Sequence, residues 1–342
     1  MFVGIDYHKR YLVATTLAKN GKEIKQEKVT TDRESLEDFI KGLPARSKIA
    51  MEATGDWYYF YELLEGKAHE VSLAHPLKTR AIAEAKIKTD KIDSGILAHL
   101  LRTDLLPTSY IPPREIRDVR EILRYRASLV SLRTSLKNKV HAILSKNGII
   151  LPFSDIFGKK ARENLQELPV RECYTVELQG YLHLAECMGE LLKGVDERIK
   201  ELAHLNPQAE LLISIPGISY YSALLIMSEI GDFRRFSHAK KLCCYAGLVP
   251  SVFSSGGKTH HGAITKQGSR WLRWILIELA LHFIRHDSRL KALYVRVSQK
   301  HGHNSAKVAV AREMLKIIYA MLRDNRAYIP GIPGRLHGVM AS

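Results

Sequence analysis

The sequence predicts a mixed α/β unit over residues 1–110 followed by a mostly α-helical remainder, and three observations predict it. Two short apolar runs, Phe2 to Asp6 (FVGID) and Lys48 to Thr54 (KIAMEAT), are too short for stable helices and read as strands. Asn20-Gly21 joins two further strand-like runs, a strong signal for a tight hairpin. From Arg114 to Asn147 there is neither proline nor glycine, and Ile122, Leu129, Leu136 and Ile143 recur every seven residues, as in a long helix with a coiled-coil-like seam.

The bulk composition bounds what such a chain does. Over 342 residues, 52 Lys and Arg stand against 36 Asp and Glu, a formal net charge of +16, and such an excess favours a polyanionic partner, most often nucleic acid. Cys173, Cys187, Cys243 and Cys244 have no zinc-like spacing and read as reduced thiols of a cytoplasmic protein. No apolar run reaches the ~18 residues of a membrane span, and no signal-peptide pattern precedes the first strand, so no membrane partner is expected.

Element by element, Phe2–Asp6 and the hairpin around Asn20-Gly21 form a meander, Asp32 can cap a helix ending near Gly42, and Lys48 onward is the next strand. WYYFYELLEGKAH reads as helix, EVSLAHP as strand and KTRAIAEAK as the start of another helix. The order is β-β-β-α-β-α-β-α. Asp6 and Glu52 each sit near the C-terminal end of a strand, the edge at which α/β sheets build sites. Asp90 and Asp93 follow at i and i+3, on one face of a helix. An acid at the end of an apolar strand needs a positive neighbour. Four acids from two strands and one helix suit oxygen ligation of Mg2+ or Mn2+, whose chemistry on phosphodiesters is well suited to such sites.

Residues 111–205 read as a long helical hairpin, with a basic outer surface that includes Arg117, Arg120, Arg124, Arg126, Arg133, Lys137 and Lys139. Residues 206–325 open with two helices joined at Pro216-Gly217-Ile218, a helix-hairpin-helix-like pattern whose turn amides suit a DNA phosphate. Ser254-Ser255-Gly256-Gly257-Lys258 then forms a small-residue loop among Lys258, Lys266, Arg270 and Arg273. On the residues alone this is a phosphate-binding turn rather than a nucleophile. Residues 326–342 read as a Gly/Pro-rich tail. Candidate nucleic-acid contacts are Lys78, Arg80, Lys88, Gly217, Lys258, Lys266, Arg270 and Arg273.

FVGID, MEATG and KTDKID, followed by IPGI, AGLVP, SSGGK, GAITKQG and RWLRW, resemble the DEDD insertion-sequence transposases, related to Piv-type DNA invertases and described as bridge-RNA-guided recombinases. The resemblance implies a ribonuclease H-like (RuvC-like) first domain, with the acidic tetrad falling on Asp6, Glu52, Asp90 and Asp93. It implies a catalytic serine at Ser255, with Ser254 the adjacent alternative, that becomes joined to DNA. It further implies Mg2+ or Mn2+, DNA at element ends and target, a structured guide RNA, and a homo-oligomer (dimer or tetramer) assembled through the middle helices. The residues alone leave two other readings open: a metal-dependent, junction-resolvase-like nuclease that uses water, and a non-enzymatic nucleic-acid-binding factor.

Overall fold

In the computed structural model, residues 1–330 are described apart from 54–56, 68, 84–88, 154, 159–160, 162–163, 166–167 and 256–257. The chain divides into two compact units, Met1–Pro112 and Pro113–Ser342. The mixed α/β first unit and the mostly helical remainder agree with the sequence expectation.

The first unit is a six-stranded sheet in the order β3-β2-β1-β4-β5-β6. Strands β1 (Phe2–Tyr7), β2 (Tyr11–Leu17) and β3 (Glu23–Thr30) form the antiparallel meander. Strands β4 (Lys48–Glu52) and β5 (Glu70–Ala74) continue it in parallel, and the two-residue β6 (Thr108–Ser109) closes the edge. Side chains alternate between faces along a strand. Val3, Ile5 and Tyr7 therefore pack with Leu36, Phe39 and Ile40 of α1 (Arg33–Gly42) and with Phe60 and Leu64 of α2 (Trp57–Leu64). The helix α3 (Pro76–Ile82) follows β5.

The opposite face is covered by α4 (Asp90–Arg102), whose first turn is capped by Thr89. Gly4 makes that packing possible. A Cβ built there would lie 2.0 Å from the Ser94 carbonyl oxygen and 2.4 Å from the Ala98 nitrogen, closer than any real side chain permits. The helix backbone is seated directly on β1, held also by the buried Thr15–Ser94 hydroxyl pair at 2.9 Å and by Gln26 donating to the Lys91 carbonyl at 3.2 Å.

In the second unit, α5 (Arg114–Lys146) and α6 (Glu172–His204) pack side by side. Of the heptad positions, Leu129 and Ile143 are buried, while Ile122 and Leu136 are half-buried. Arg126 forms a two-pronged ion pair with Asp196 across the helices, at 2.5 and 3.3 Å. Next come α7 (Pro207–Ile213), α8 (Tyr220–Ile230), α9 (Ala239–Tyr245), a hairpin of β7 (Pro250–Ser255) and β8 (Lys258–Ile264), α10 (Arg270–His286) and α11 (Ser288–Asp324). Helix α11 is broken at Gly302, where φ is +81°. From Tyr221 to Ile230, α8 is buried at every position and forms the centre of this unit's core.

Two expectations about this unit change on folding. Arg117 and Arg120 are buried rather than solvated. Arg120 donates to the carbonyls of Ser228 (2.9 Å) and Glu229 (3.3 Å), satisfying the otherwise unpaired C-terminal turn of α8. The serine-glycine stretch is not a free loop: Ser254 pairs with Thr259 and Ser255 with Lys258 in the β7–β8 ladder. Two glycines between strand-forming runs favour a tight hairpin, a signal obscured by the polar strand residues. At the start of the expected tail, Tyr328 is tied down, its amide donating to Ser214 Oγ (3.0 Å) and its hydroxyl to Asp287 (2.8 Å). No helix among the described residues is long and apolar enough to cross a membrane.

Candidate active site

Backbone parity aims the acids of the first unit. Gly4 faces α4, so Asp6 and His8, two and four residues on, continue along that face. In β4, Ala50 is packed with Ala74 and Leu97 of α4. Glu52, two residues further, shares that face. Strands β1 and β4 are parallel with Ile5 opposite Met51, so Asp6 and Glu52 follow as the next neighbours, on strands about 4.8 Å apart. The close seating at Gly4 brings the first turn of α4, with Asp90 and Asp93, over the same strand ends.

The side chains meet there. His8 Nε2 lies 3.1 Å from Asp6 Oδ2 and 3.5 Å from Asp90 Oδ1. One ligand atom from each of Asp6, His8 and Asp90 falls within 4.8 Å of the other two. The Tyr11 hydroxyl donates to Asp90 Oδ2 at 2.9 Å, and the Tyr11 ring is covered by Lys28 Nζ at 3.6 Å. Burial raises the Asp6 pKa, and the negative charges of Asp90 and Asp93 raise it further; His8 opposes them without cancelling the effect. The hydrogen bond to Asp90 likewise raises the Tyr11 pKa.

This crowding is the test of whether a cation fits. Asp90 and Asp93 act on Asp6, Glu52 lies on the adjoining strand, and the half-exposed His8 imidazole stands within 3.1 Å of Asp6 and 3.5 Å of Asp90. Such a donor set suits a hard divalent ion, whose charge would offset both the burial of Asp6 and the repulsion from its acidic neighbours. Asp6, Glu52, Asp90 and Asp93 would hold that ion, and when bound it supplies charge stabilisation at a phosphoryl group.

His8 and Tyr11 escape sequence reasoning. The i+2 spacing of His8 from Asp6 was the available signal. Tyr11 had none, because its contact with Asp90 spans 79 residues of sequence.

The remaining candidates are each placed within their own unit. Lys78 and Arg80 are exposed on α3, and Lys88 falls outside the described residues. Gly217 has φ +91°, and a Cβ there would approach His282 of α10 to 2.9 Å, so the α7–α8 turn rests on that helix. Ser254 is exposed near the end of β7; the side chains of Ser255 and Lys258 lie outside the description. Lys266 and Arg270 are exposed. Arg273 is half-buried, donates to the Ala246 carbonyl at 3.0 Å, and has its pKa lowered by that burial. A cleft of about 650 Å³ between α9 and α11, lined by Lys240, Arg289, Arg296, Lys316 and Arg323, gathers cations that no sequence pattern linked.

Comparison with known families bears on both units. Residues 3–147 match the DEDD transposase family of the IS110 type, described as "Transposase". Residues 209–295 match the family described as "Transposase IS116/IS110/IS902 family". The chain is 27% identical over 300 residues to the transposase for insertion sequence element IS1111A of Coxiella burnetii, covering 82% of this chain and 79% of that protein. It is 29% identical over 321 residues to a probable family 20 transposase of Pseudomonas aeruginosa, covering 87% and 90%. It is 26% identical over 337 residues to the transposase for insertion sequence element IS1328 of Yersinia enterocolitica, covering 95% and 98%.

Proposed function

The chain belongs to the DEDD-type insertion-sequence transposases and is an enzyme acting on DNA; from that premise we propose that it cuts and rejoins DNA through a serine–DNA phosphodiester. The observation that carries this reading is the arrangement of Asp6, Glu52 and the first turn of α4 on one face of a parallel strand pair. The strand order, a three-stranded meander extended in parallel by β4 and β5, supports a ribonuclease H-like (RuvC-like) first unit.

In this reading Asp6, Glu52, Asp90 and Asp93 would hold Mg2+ or Mn2+, whose charge would stabilise the scissile phosphate. Ser255 acts on that phosphate in the assembled protein–DNA complex. Its Oγ forms a bond to phosphorus as the bond to the leaving sugar oxygen breaks. The serine proton is lost to solvent, and the departing oxygen gains one. The phosphoserine ester keeps the phosphodiester bond energy, so a second DNA hydroxyl can attack it and release the serine without an external energy source. Exposed Lys266 and Arg270 supply phosphate contacts in the same unit. A structured guide RNA, with the protein reading backbone shape and base pairing reading sequence, completes the proposal. The working form is a dimer or tetramer joined through α5 and α6.

The test is direct. Wild-type protein incubated with element-end DNA and Mg2+ gives a denaturation-resistant protein–DNA adduct, and Ser255→Ala abolishes it. Ser254→Ala retains it. Cleavage by Ser255→Ala at the wild-type rate would overturn the serine assignment. RNA that co-purifies, once sequenced, decides the guide: a single structured species supports it, and a random population contradicts it.

A further inference from the structure

The face that carries the acids also carries one imidazole, and it stands among them rather than beside them. We propose that His8 Nε2 is a direct ligand of the cation held by Asp6 and Asp90, biasing the site toward Mn2+ over Mg2+; this rests on the metal-site reading above.

Spacing is the first argument. Ligand atoms ~2.1 Å from a shared ion and at right angles to one another are about 3.0 Å apart. His8 Nε2 is 3.1 Å from Asp6 Oδ2 and 3.5 Å from Asp90 Oδ1, close to the edges of such a polyhedron. These three side chains alone bring ligand atoms within 4.8 Å of one another among the described residues searched as potential metal ligands.

Preorganisation is the second. The His8 amide donates to the Tyr11 carbonyl at 2.9 Å, closing the turn between β1 and β2 and fixing where the imidazole leaves the backbone. Tyr11 takes up Asp90 Oδ2, leaving Oδ1 as the oxygen toward His8. The rings of His8 and Tyr11 sit 5.1 Å apart at a 45° tilt, and Lys28 covers the Tyr11 ring. Imidazole and phenol are thus set by one turn. Coordination asks only for the neutral tautomer with its proton on Nδ1, so that Nε2 offers a lone pair.

Chemistry gives the consequence. Carboxylate oxygens alone suit Mg2+, Ca2+ and Mn2+ alike, whereas an imidazole nitrogen favours transition metals. Replacing one oxygen by nitrogen therefore costs Mg2+ more than Mn2+.

The experiment is metal binding to the full-length protein without DNA, by calorimetry with Mn2+ and with Mg2+, together with pulsed electron paramagnetic resonance of the Mn2+ form. Nitrogen coupling from a histidine to bound Mn2+ in the wild type is expected, and its absence would overturn the proposal without any variant being made. His8→Ala is expected to weaken Mn2+ binding about 10-fold or more, in the range lost with a metal-site partner, and to change Mg2+ binding much less. Equal losses for both ions, or none, would reduce His8 to a hydrogen-bond partner of Asp6. Asp6→Asn separates the two levels. If it abolishes binding while His8→Ala leaves Mn2+ affinity at the wild-type value, the four-acid site stands and the histidine ligand falls. If Asp6→Asn binds as the wild type does, the site itself is wrong.

Discussion

The two units each contain a partly or fully buried carboxylate cluster, and the two are handled in opposite ways. In the first unit, Asp6 is one of several neighbouring acids, and burial, with the negative charges of Asp90 and Asp93 added to it, raises its pKa. In the second, Glu229 is buried with one oxygen accepting from Ser269 at 2.8 Å and the other 3.4 Å from Arg124 and 3.7 Å from Arg120. Ser269 is also the cap of α10, accepting from the Leu272 amide. One cluster sets acids beside one another, and the other pairs its carboxylate with Ser269, Arg124 and Arg120. The raised pKa of Asp6 among neighbouring acids is the feature that marks this cluster, rather than Glu229, as a candidate ligand site.

The largest effect that tests this contrast is on activity. Asp6→Asn is expected to lower DNA strand cleavage about 10³-fold, the loss of several kcal/mol of metal-aided stabilisation. The same change should raise the thermal midpoint of the metal-free protein, because it removes like-charge crowding. Added Mn2+ should stabilise the wild type and leave the variant unmoved. A variant that is both inactive and less stable would place Asp6 in the structural class with Glu229.

Glu229→Ala is the reciprocal experiment. It strands Arg120 and Arg124 near a buried site, and loss of one partner from such a network costs about 3–5 kcal/mol. Denaturant unfolding should register that loss, while Mn2+ affinity at the first unit stays at the wild-type value. A fall in Mn2+ affinity would mean that the two clusters are not independent.

Gly4→Ala sits between them, structural in kind and functional in consequence. The added methyl meets helix backbone, so α4 must lift, at a cost of about 1–3 kcal/mol for an overpacked site. Lifting α4 carries Asp90 and Asp93 away from Asp6, so metal affinity falls along with stability. Unchanged affinity would show that the acid cluster does not depend on this seat.

These residues also mark what the sequence discloses. That Asp6 and Glu52 end neighbouring strands and that Asp90 and Asp93 open a helix was legible, because strand ends and an i, i+3 helix pair are local patterns. Gly4 was visible only as a glycine in a strand; its role depends on which backbone arrives from 90 residues later. Arg117 and Arg120 looked like a solvated basic face, since the periodicity of α5 places an inner face without saying how many partners cover the rest. The β7–β8 hairpin was hidden because its strands are polar. Tyr11 and Glu229 act through contacts 79 and 40 residues away in sequence, which no spacing rule reaches.

The smallest effect offers the sharpest contrast, because it turns on the sign of a pH dependence. Asp287 is a second closed carboxylate, capping α11 through the amides of Arg289 and Leu290 and accepting from the Tyr328 hydroxyl. Burial alone raises its pKa, but these hydrogen bonds and Arg289 outweigh burial and hold it below the ordinary value. A carboxyl with a lowered folded-state pKa adds stability above its unfolded pKa, and that stability is lost as pH falls through the folded value. Asp6 runs the other way: its raised pKa makes the metal-free fold more stable in acid and less so as pH climbs through the raised value. Tyr328→Phe should therefore cost about 1 kcal/mol at neutral pH, and the difference from wild type should shrink as acid protonates Asp287. The Asp6→Asn difference should also close in acid, but from the opposite side, with the variant the more stable protein at neutral pH. Stability curves for the two variants that deviate from wild type in the same direction at neutral pH would erase the distinction between a closed carboxylate and one kept open for a cation.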